Sequence, residues 1–279
     1  MHARKATGEL PLVSVITPTA KCGPSIGRAL ESVQRQDYPR IEHLIVGDSC
    51  TGLARERLGR LSVHGTFRFP IRVINASHPP AYAATYRPAR AAHARTAGAT
   101  AARGGLLAFL DDDNEYQLHH VRTMVGALAG DPELEAVYCW RQLLHPDGSS
   151  YLRRASPLAG DPVQAHHDYE ELVAAGVWIA GTNLLRDRLD WNTVDSSCWL
   201  IRRELLNRVP FRLAFTSRER TDRLGEDVAF CFDLRQSRVP IGRVERHSVR
   251  YYIGGFSTTG ERDYVVETDS RWQHRPAGP

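Results

Sequence analysis

The chain has 279 residues, 42% of them hydrophobic and 24% charged, a balance that supports a buried core and excludes wholesale disorder. It contains no run of about 18 apolar residues, which excludes a transmembrane helix. Its polar N-terminus (MHARKATGEL) has no signal-peptide core, so the expected location is cytoplasmic. The net charge of +4 is almost wholly arginine, since Lys5 and Lys21 are the only lysines, and no basic tract is interleaved with aromatics, so nucleic acid is not an expected partner.

Residues 12–17 (LVSVIT) form an apolar, β-branched run stopped by Pro18, the pattern of a buried strand. Ile26, Ala29, Leu30 and Val33 repeat at helical spacing and predict a helix over 24–36. A second strand is expected at 41–46, running into Gly47 and Asp48, and a third at 70–75. Residues 76–88 are rich in Pro and Ala and read as a loop; its stretch from 78 to 88 is long enough to cover a ligand. The alanine-rich stretch 89–103 predicts a helix, stopped by Gly104 and Gly105. Residues 106–110 (LLAFL) are the next strand, and its end releases Asp111, Asp112, Asp113 and Asn114.

Strands alternating with helices imply βαβ units and an α/β fold with a mostly parallel sheet flanked by helices. In open sheets of this kind ligands bind beyond the carboxyl ends of the strands, where Asp48 and the acidic run both fall. The second half is less regular. Helices are expected over 117–129, 202–208 and 225–236, and strands over 134–144, 194–201 and, singly or as a pair, 239–253. Residues 145–190 give no clear pattern. The five cysteines are odd in number, widely spaced and without a C-x-x-C pair, so they read as reduced thiols packed in the core.

Three carboxylates leaving one strand end repel one another. Solvation relieves this in a turn that also caps the next helix. A cation relieves it too, and hard oxygens suit Mg2+ or Mn2+ bridging substrate phosphates. Glu226 and Asp227, following Gly225, read either as an acidic first helical turn or as a carboxylate placed to take a proton from a hydroxyl. Trp178, Trp191 and Trp199 are candidates for stacking on a sugar, against ordinary core or rim packing.

Several of these segments, in order, resemble the family 2 glycosyltransferases. Ala94-Arg95-Thr96-Ala97-Gly98, followed by a strand ending in Leu110-Asp111-Asp112-Asp113-Asn114, is similar to that family's Ala-Arg-Asn-x-Gly helix and Leu-Asp-x-Asp-Asp strand end, with Thr96 and Asn114 as departures. Val13–Thr19 looks like its first strand and nucleotide-binding turn. Val46–Thr51 (VGDSCT) looks like its Val-Asp-Asp-Gly-Ser-Thr turn, with Gly47 and Cys50 as departures. Asp195–Arg203 is similar to the segment before its acceptor site, and Gly225-Glu226-Asp227 with Phe230 and Leu234 to its Glu-Asp catalytic motif. The blocks span about residues 12–236.

The resemblance implies a GT-A fold in a single domain over 1–279, with a nucleotide-sugar-binding half at about 12–115, an acceptor-binding half at about 116–268 and a flexible tail at 269–279. It implies that Thr17, Pro18 and Thr19 line the base and ribose, that Asp48 hydrogen-bonds the base, and that Arg95 faces the base or diphosphate. Asp111 would contact the ribose, with Asp112 less directly engaged, and Asp113 would ligate Mn2+ or Mg2+. A late histidine completes the metal site in several such enzymes, which points to His247 and would favour Mn2+. Asp227, with Glu226 beside it, would be the general base of an inverting single displacement, and Trp178 and Trp199 would belong to the acceptor site. The expected reaction carries a hexose or N-acetylhexosamine from a UDP-linked donor to a hydroxyl of a sugar, glycan or small molecule. Two other readings stay open. One is a sugar-phosphate nucleotidyltransferase, against which stands the lack of a glycine-rich loop after the first strand. The other is a non-catalytic nucleotide-sugar-binding protein on the same scaffold.

Overall fold

The computed structural model describes residues 9–254 apart from 24, 62–66, 78–85, 158 and 160. The tail expected at 269–279 and most of the ligand-covering loop expected at 78–88 lie outside the described residues. Four strands, β1 (Val13–Thr19), β2 (Ile41–Asp48), β3 (Ile71–Ala76) and β4 (Leu106–Phe109), pair in parallel in the order β3-β2-β1-β4. The helices α1 (Ile26–Gln34), α2 (Gly52–Leu61) and α3 (Arg87–Ala101) connect them. β1 is buried everywhere but Pro18, and β2 is buried at all positions, as expected for parallel strands covered on both faces.

β2 buries polar side chains because each finds a partner. Glu42 accepts from Ser14 Oγ and from the Arg103 amide, both at 2.6 Å, and from the Arg72 guanidinium at 3.3 Å. His43 shares a 2.9 Å hydrogen bond with Thr17 of β1. Without such bonds these groups would be costly inside a sheet. α3 is built of small residues where it meets β1 and β2. A Cβ on Gly98 would stand 2.5 Å from Ile16 Cγ2 and 3.1 Å from Val46 Cγ2.

In the second half, β5 (Glu115–Tyr116), β6 (Ala136–Leu144), β7 (Leu184–Leu185), β8 (Trp199–Arg202) and β9 (Ile241–Tyr252) extend the same sheet. β8 runs antiparallel to β4, β6 antiparallel to β8, β9 parallel to β6, and β5 antiparallel to β9; β7 lies on β6. The sheet is therefore parallel through its first half and mixed through its second. The remaining helices are α4 (His120–Gly130), α5 (Pro162–Ala174), the short α6 (Ser217–Thr221) and α7 (Glu226–Gln236). α5 lies in the stretch whose sequence shows no clear pattern, yet its start is marked. Asp161 accepts from the amides of Val163 and Gln164, both at 3.1 Å, and Pro162 takes the first helical position. Among the described residues no helix is long and apolar enough to cross a membrane.

Because β1, β2 and β4 are parallel, their carboxyl ends share one edge. The end of β9 and the start of α7 reach that edge as well: Asn114 accepts from the Tyr252 amide at 3.1 Å, and Arg95 of α3 donates to Glu226 at 2.5 Å.

Candidate active site

Thr19, Asp48 and the run Asp111–Asp113 stand at or just beyond the ends of β1, β2 and β4. The acidic turn is fixed from beneath. Ser197 Oγ accepts from the Asp111 amide at 3.3 Å and from the Asn114 side-chain amide at 3.1 Å. Asn114 is fully buried and both donates and accepts, which an aspartate could not do. That accounts for the asparagine where the resembling motif carries an acid.

Arg95 is 2% exposed and ties two acids together, donating to Glu226 with one terminal nitrogen and to Asp111 with the other. Thr19 Oγ donates to Asp112 at 2.5 Å and accepts the Cys22 amide at 2.9 Å. Asp48 pairs with Arg90 of α3 at 2.8 Å. Arg141 of β6 donates to Asp187 at 3.1 Å, Asp195 at 3.2 Å and the Thr193 carbonyl at 2.7 Å, and Asp195 also accepts the Ser197 amide at 2.8 Å. Asp113 has no side-chain partner among the described residues. Asp227 accepts the adjacent Val228 amide at 2.8 Å with one oxygen.

Crowding and burial raise the proton affinity of these acids. Burial pushes Asp111 up to about 7 against the pull of Arg95, with Asp195 and Asp112 adding to the rise. Glu226 is likewise pushed up to about 7 by burial, opposed by Arg95 and reinforced by Asp227. Burial, then Asp112, Asp111 and Asp195, hold Asp113 well above the usual carboxylate range. Asp227 is raised by burial and then by Asp195. The recess still meets solvent, since 27% of the Asp111 side chain is exposed. Seven carboxylates (Asp111, Asp112, Asp113, Asp187, Asp195, Glu226 and Asp227) thus share two buried guanidiniums, Arg95 and Arg141. No three of these carboxylates bring ligand atoms within 4.8 Å of one another, so the site fits a hard divalent cation held by one or two of them, Asp113 being unpartnered, and completed by substrate phosphates.

Five of the sequence-based expectations need correction. Arg95 does not offer its guanidinium to a nucleotide, because protein carboxylates engage both terminal nitrogens. Thr17 is fully buried, its hydroxyl bonded to His43 below the pocket floor. His247 lies in β9 opposite Trp140, five positions before Tyr252, the residue tied to the acidic turn. Five steps of a strand span about 16 Å at about 3.3 Å each, so His247 is out of reach of a metal at Asp113. Trp178 is 2% exposed, packed on Tyr169 at 5.0 Å between ring centroids, and its indole donates to the Thr182 carbonyl at 2.8 Å. Trp199 is 1% exposed between Tyr138 and Phe230. Neither ring has a face open to a sugar; of the three tryptophans considered, Trp191 has an open ring, at 42% exposure.

Sequence reasoning missed Arg90, Arg141 and Asp187. Nothing in the linear pattern separates Arg90 from Arg87 or Arg103, and Arg141 and Asp187 meet only through tertiary folding. Asp195 was present in a recognised block, but without its place beside Asp227.

The sequence model described as Glycosyl transferase family 2 matches residues 14–209. No curated protein sequence matches the chain. Among solved structures, Staphylococcus aureus TarS (residues 1–349, in complex with UDP) aligns with a TM-score of 0.57 at 14% identity, covering 88% of this chain and 62% of that one. The mannosyltransferase PcManGT from Pyrobaculum calidifontis, in complex with GDP-Man and Mn2+, aligns with a TM-score of 0.52 at 18% identity, covering 87% and 57%. The chain therefore spans 37% to 62% of the length of the solved chains named TarS or PcManGT that it matches. At these identities the likeness is one of fold.

Proposed function

The chain belongs to glycosyl transferase family 2, and on that premise we propose that it moves a sugar from a nucleotide-sugar to an acceptor hydroxyl by metal-assisted single displacement with inversion. The observation that carries this reading is the meeting of the acidic turn after β4 with the first turn of α7, joined through Arg95. One acid group faces the donor and another the acceptor. The family match favours sugar transfer over the nucleotidyl transfer that the sequence left open.

The donor base sits at Asp48 and Arg90. A carboxylate that accepts beside a guanidinium that donates suits a base edge with an N–H next to a carbonyl, as uracil and guanine have. TarS was solved with UDP and PcManGT with GDP-Man; a UDP-linked donor is our first expectation. Pro18 and Thr19 flank the base and ribose, with Asp111 and Asp112 beyond them.

Asp113 would hold Mn2+ or Mg2+, and the bound ion would supply charge neutralisation to the leaving diphosphate. Asp227 is the general base. Its neighbour Glu226 is engaged by Arg95, whereas Asp227 keeps one oxygen off its own helix amide. Burial and Asp195 raise its proton affinity, which moves it towards the range in which a base works best near neutral pH. Arg95 positions both halves of the site and touches neither substrate.

The test is a thermal-shift panel of UDP, GDP, dTDP and CDP, each with and without Mn2+. A diphosphate at about 100 times its dissociation constant adds roughly 2.7 kcal/mol of stability. One of the diphosphates, UDP by first expectation, should stabilise the protein, and should need the metal to do so fully. Stabilisation that ignores the metal, or none by any diphosphate, would sink this donor site.

A further inference from the structure

Cys139 of β6 and Cys198, immediately before β8, are both fully buried and free. β6 and β8 are antiparallel, with Ala136 opposite Ile201, Val137 opposite Leu200 and Tyr138 opposite Trp199. The ladder ends there, because Cys198 closes the 3-10 turn Ser196–Cys198, but Cys139 and Cys198 follow next on the two chains and their thiols interact side chain to side chain. The last paired residues before them, Tyr138 and Trp199, face each other across an antiparallel ladder whose Cα atoms stand about 4.5–5.5 Å apart, and a disulfide bridges Cα atoms about 4.4–6.8 Å apart.

The pair has polar neighbours. His120 Nδ1 lies 3.9 Å from Cys139 Sγ, and its Nε2 is buried without a hydrogen-bond partner. Cys198 Sγ lies 3.9 Å from Asp187 Oδ2. Burial opposes ionisation of both thiols, yet the interaction with Cys198 and the nearby His120 hold Cys139 well below the usual thiol range, while Cys198 is pushed above it. These groups form a chain and not a cage. Among the described residues, only His167, Asp168 and Glu171 on the outside of α5 bring three metal-ligand atoms within 4.8 Å of one another, so the thiols do not make a soft-metal site.

The pair lies directly beneath the active site. Ser197, next to Cys198, holds the Asp111 amide and the Asn114 side chain. Asp187, beside Cys198, shares Arg141 with Asp195. Closure to a sulfur–sulfur bond of about 2.05 Å would tie the 195–198 turn, whose Ser197 holds the acidic turn, to β6.

We propose that Cys139 and Cys198 are a redox-switchable dithiol, reduced in the active protein and closed to a disulfide by a peroxide-class oxidant. The Cys139 thiolate attacks one peroxide oxygen, giving a sulfenic acid and releasing hydroxide. The Cys198 thiol then attacks the sulfenic sulfur, losing its proton, and water departs. In sum two thiols and one hydrogen peroxide give one disulfide and two waters, the thiols being oxidised and the peroxide reduced.

The experiment treats the folded full chain with hydrogen peroxide, alkylates the remaining thiols, and maps the digest without reductant by mass spectrometry. A Cys139–Cys198 linked peptide is expected, cleaved again by dithiothreitol. The same samples should lose sugar-transfer turnover by on the order of tenfold to a hundredfold, as for a small misplacement of a site, with recovery on reduction. Cys139→Ala should keep its turnover through the same treatment. A map that leaves Cys139 and Cys198 alkylated, or pairs Cys22 with Cys50 instead, overturns the dithiol. A complete Cys139–Cys198 link with unchanged turnover overturns the switch. The turnover arm rests on the proposed glycosyl transfer, whereas the peptide map does not, so the map decides for or against the dithiol even in a chain without transfer activity.

Discussion

Arg95 and Glu226 lie 131 residues apart in the chain and 2.5 Å apart in space. The same guanidinium holds Asp111, so one buried cation fixes the distance between the donor-facing turn and the first turn of α7. Arg95→Ala removes the shared partner of two buried acids. Breaking a buried pair in this way costs about 3–5 kcal/mol, and urea unfolding should show it as a lower midpoint. Arg95→Lys keeps the charge but not the fork, so it should recover part of the stability and little of the turnover. Wild-type stability in the alanine variant would mean that Arg95 is not the tie described here.

Asp113 and Asp227 should fail in different ways. Asp113→Ala removes the one unpartnered carboxylate of the acidic turn, so the metal-dependent part of donor stabilisation should vanish while metal-free binding changes little. Asp227→Asn should leave donor affinity near wild type and lower turnover by about 10²–10⁴, the usual contribution of a general base. Titrating UDP with and without Mn2+, and measuring turnover at saturating donor, separates the two. If both variants keep near-normal transfer, the assigned roles are wrong.

The parallel half of the sheet was legible because each strand is a short apolar run, although β1 continues through Pro18 to Thr19, and because α3 repeats alanine at contact positions. The acidic cluster and the Glu226–Asp227 turn were legible as motifs of an edge where ligands bind. What could not be read was which acid holds which partner. Arg95 reads equally well as a phosphate ligand until Glu226 comes within 2.5 Å of it. His247 follows Asp227 at a plausible separation in sequence, and only the β6–β9 register removes it from the metal. Trp178 and Trp199 have the composition of a sugar platform, but burial decides their role and no local pattern reports it. α5 was not read from the sequence, because its start signal, Asp161-Pro162, stands in a stretch without apolar periodicity.

Two glycines in helices should respond to alanine with opposite signs. In an exposed helical site alanine is better than glycine by roughly 0.5–1 kcal/mol, and Gly126 of α4 is such a site, with nothing within 4 Å of an added Cβ. At Gly98 the same methyl meets Ile16 Cγ2 at 2.5 Å between α3 and β1. Overpacking of this kind costs about 1–3 kcal/mol and outweighs the gain in propensity. Gly126→Ala should therefore raise the melting temperature and Gly98→Ala lower it. A rise for both would mean that α3 can lift off the sheet without penalty.

His43 should make the protein acid-labile in a defined window. Its ring is fully buried, with Nε2 on Thr17 and no hydrogen-bond partner for Nδ1. Burial lowers it to about 3, whereas in the unfolded chain it titrates near about 6.5. Between those values the unfolded state carries a proton that the folded state does not. Its contribution to stability is therefore complete above about 6.5 and is lost as the pH falls towards about 3, at about 1.4 kcal/mol per pH unit for one proton. Asp111 and Glu226 act in the opposite sense, since their raised folded values mean that stability is lost as the pH rises towards about 7. The total slope mixes both, so the informative quantity is the difference from His43→Gln. That variant should be less stable at pH 7, and its stability should fall less steeply between pH 6 and pH 4 by up to about 1.4 kcal/mol per unit. Parallel pH profiles for the two proteins would show that His43 is not held neutral in the sheet.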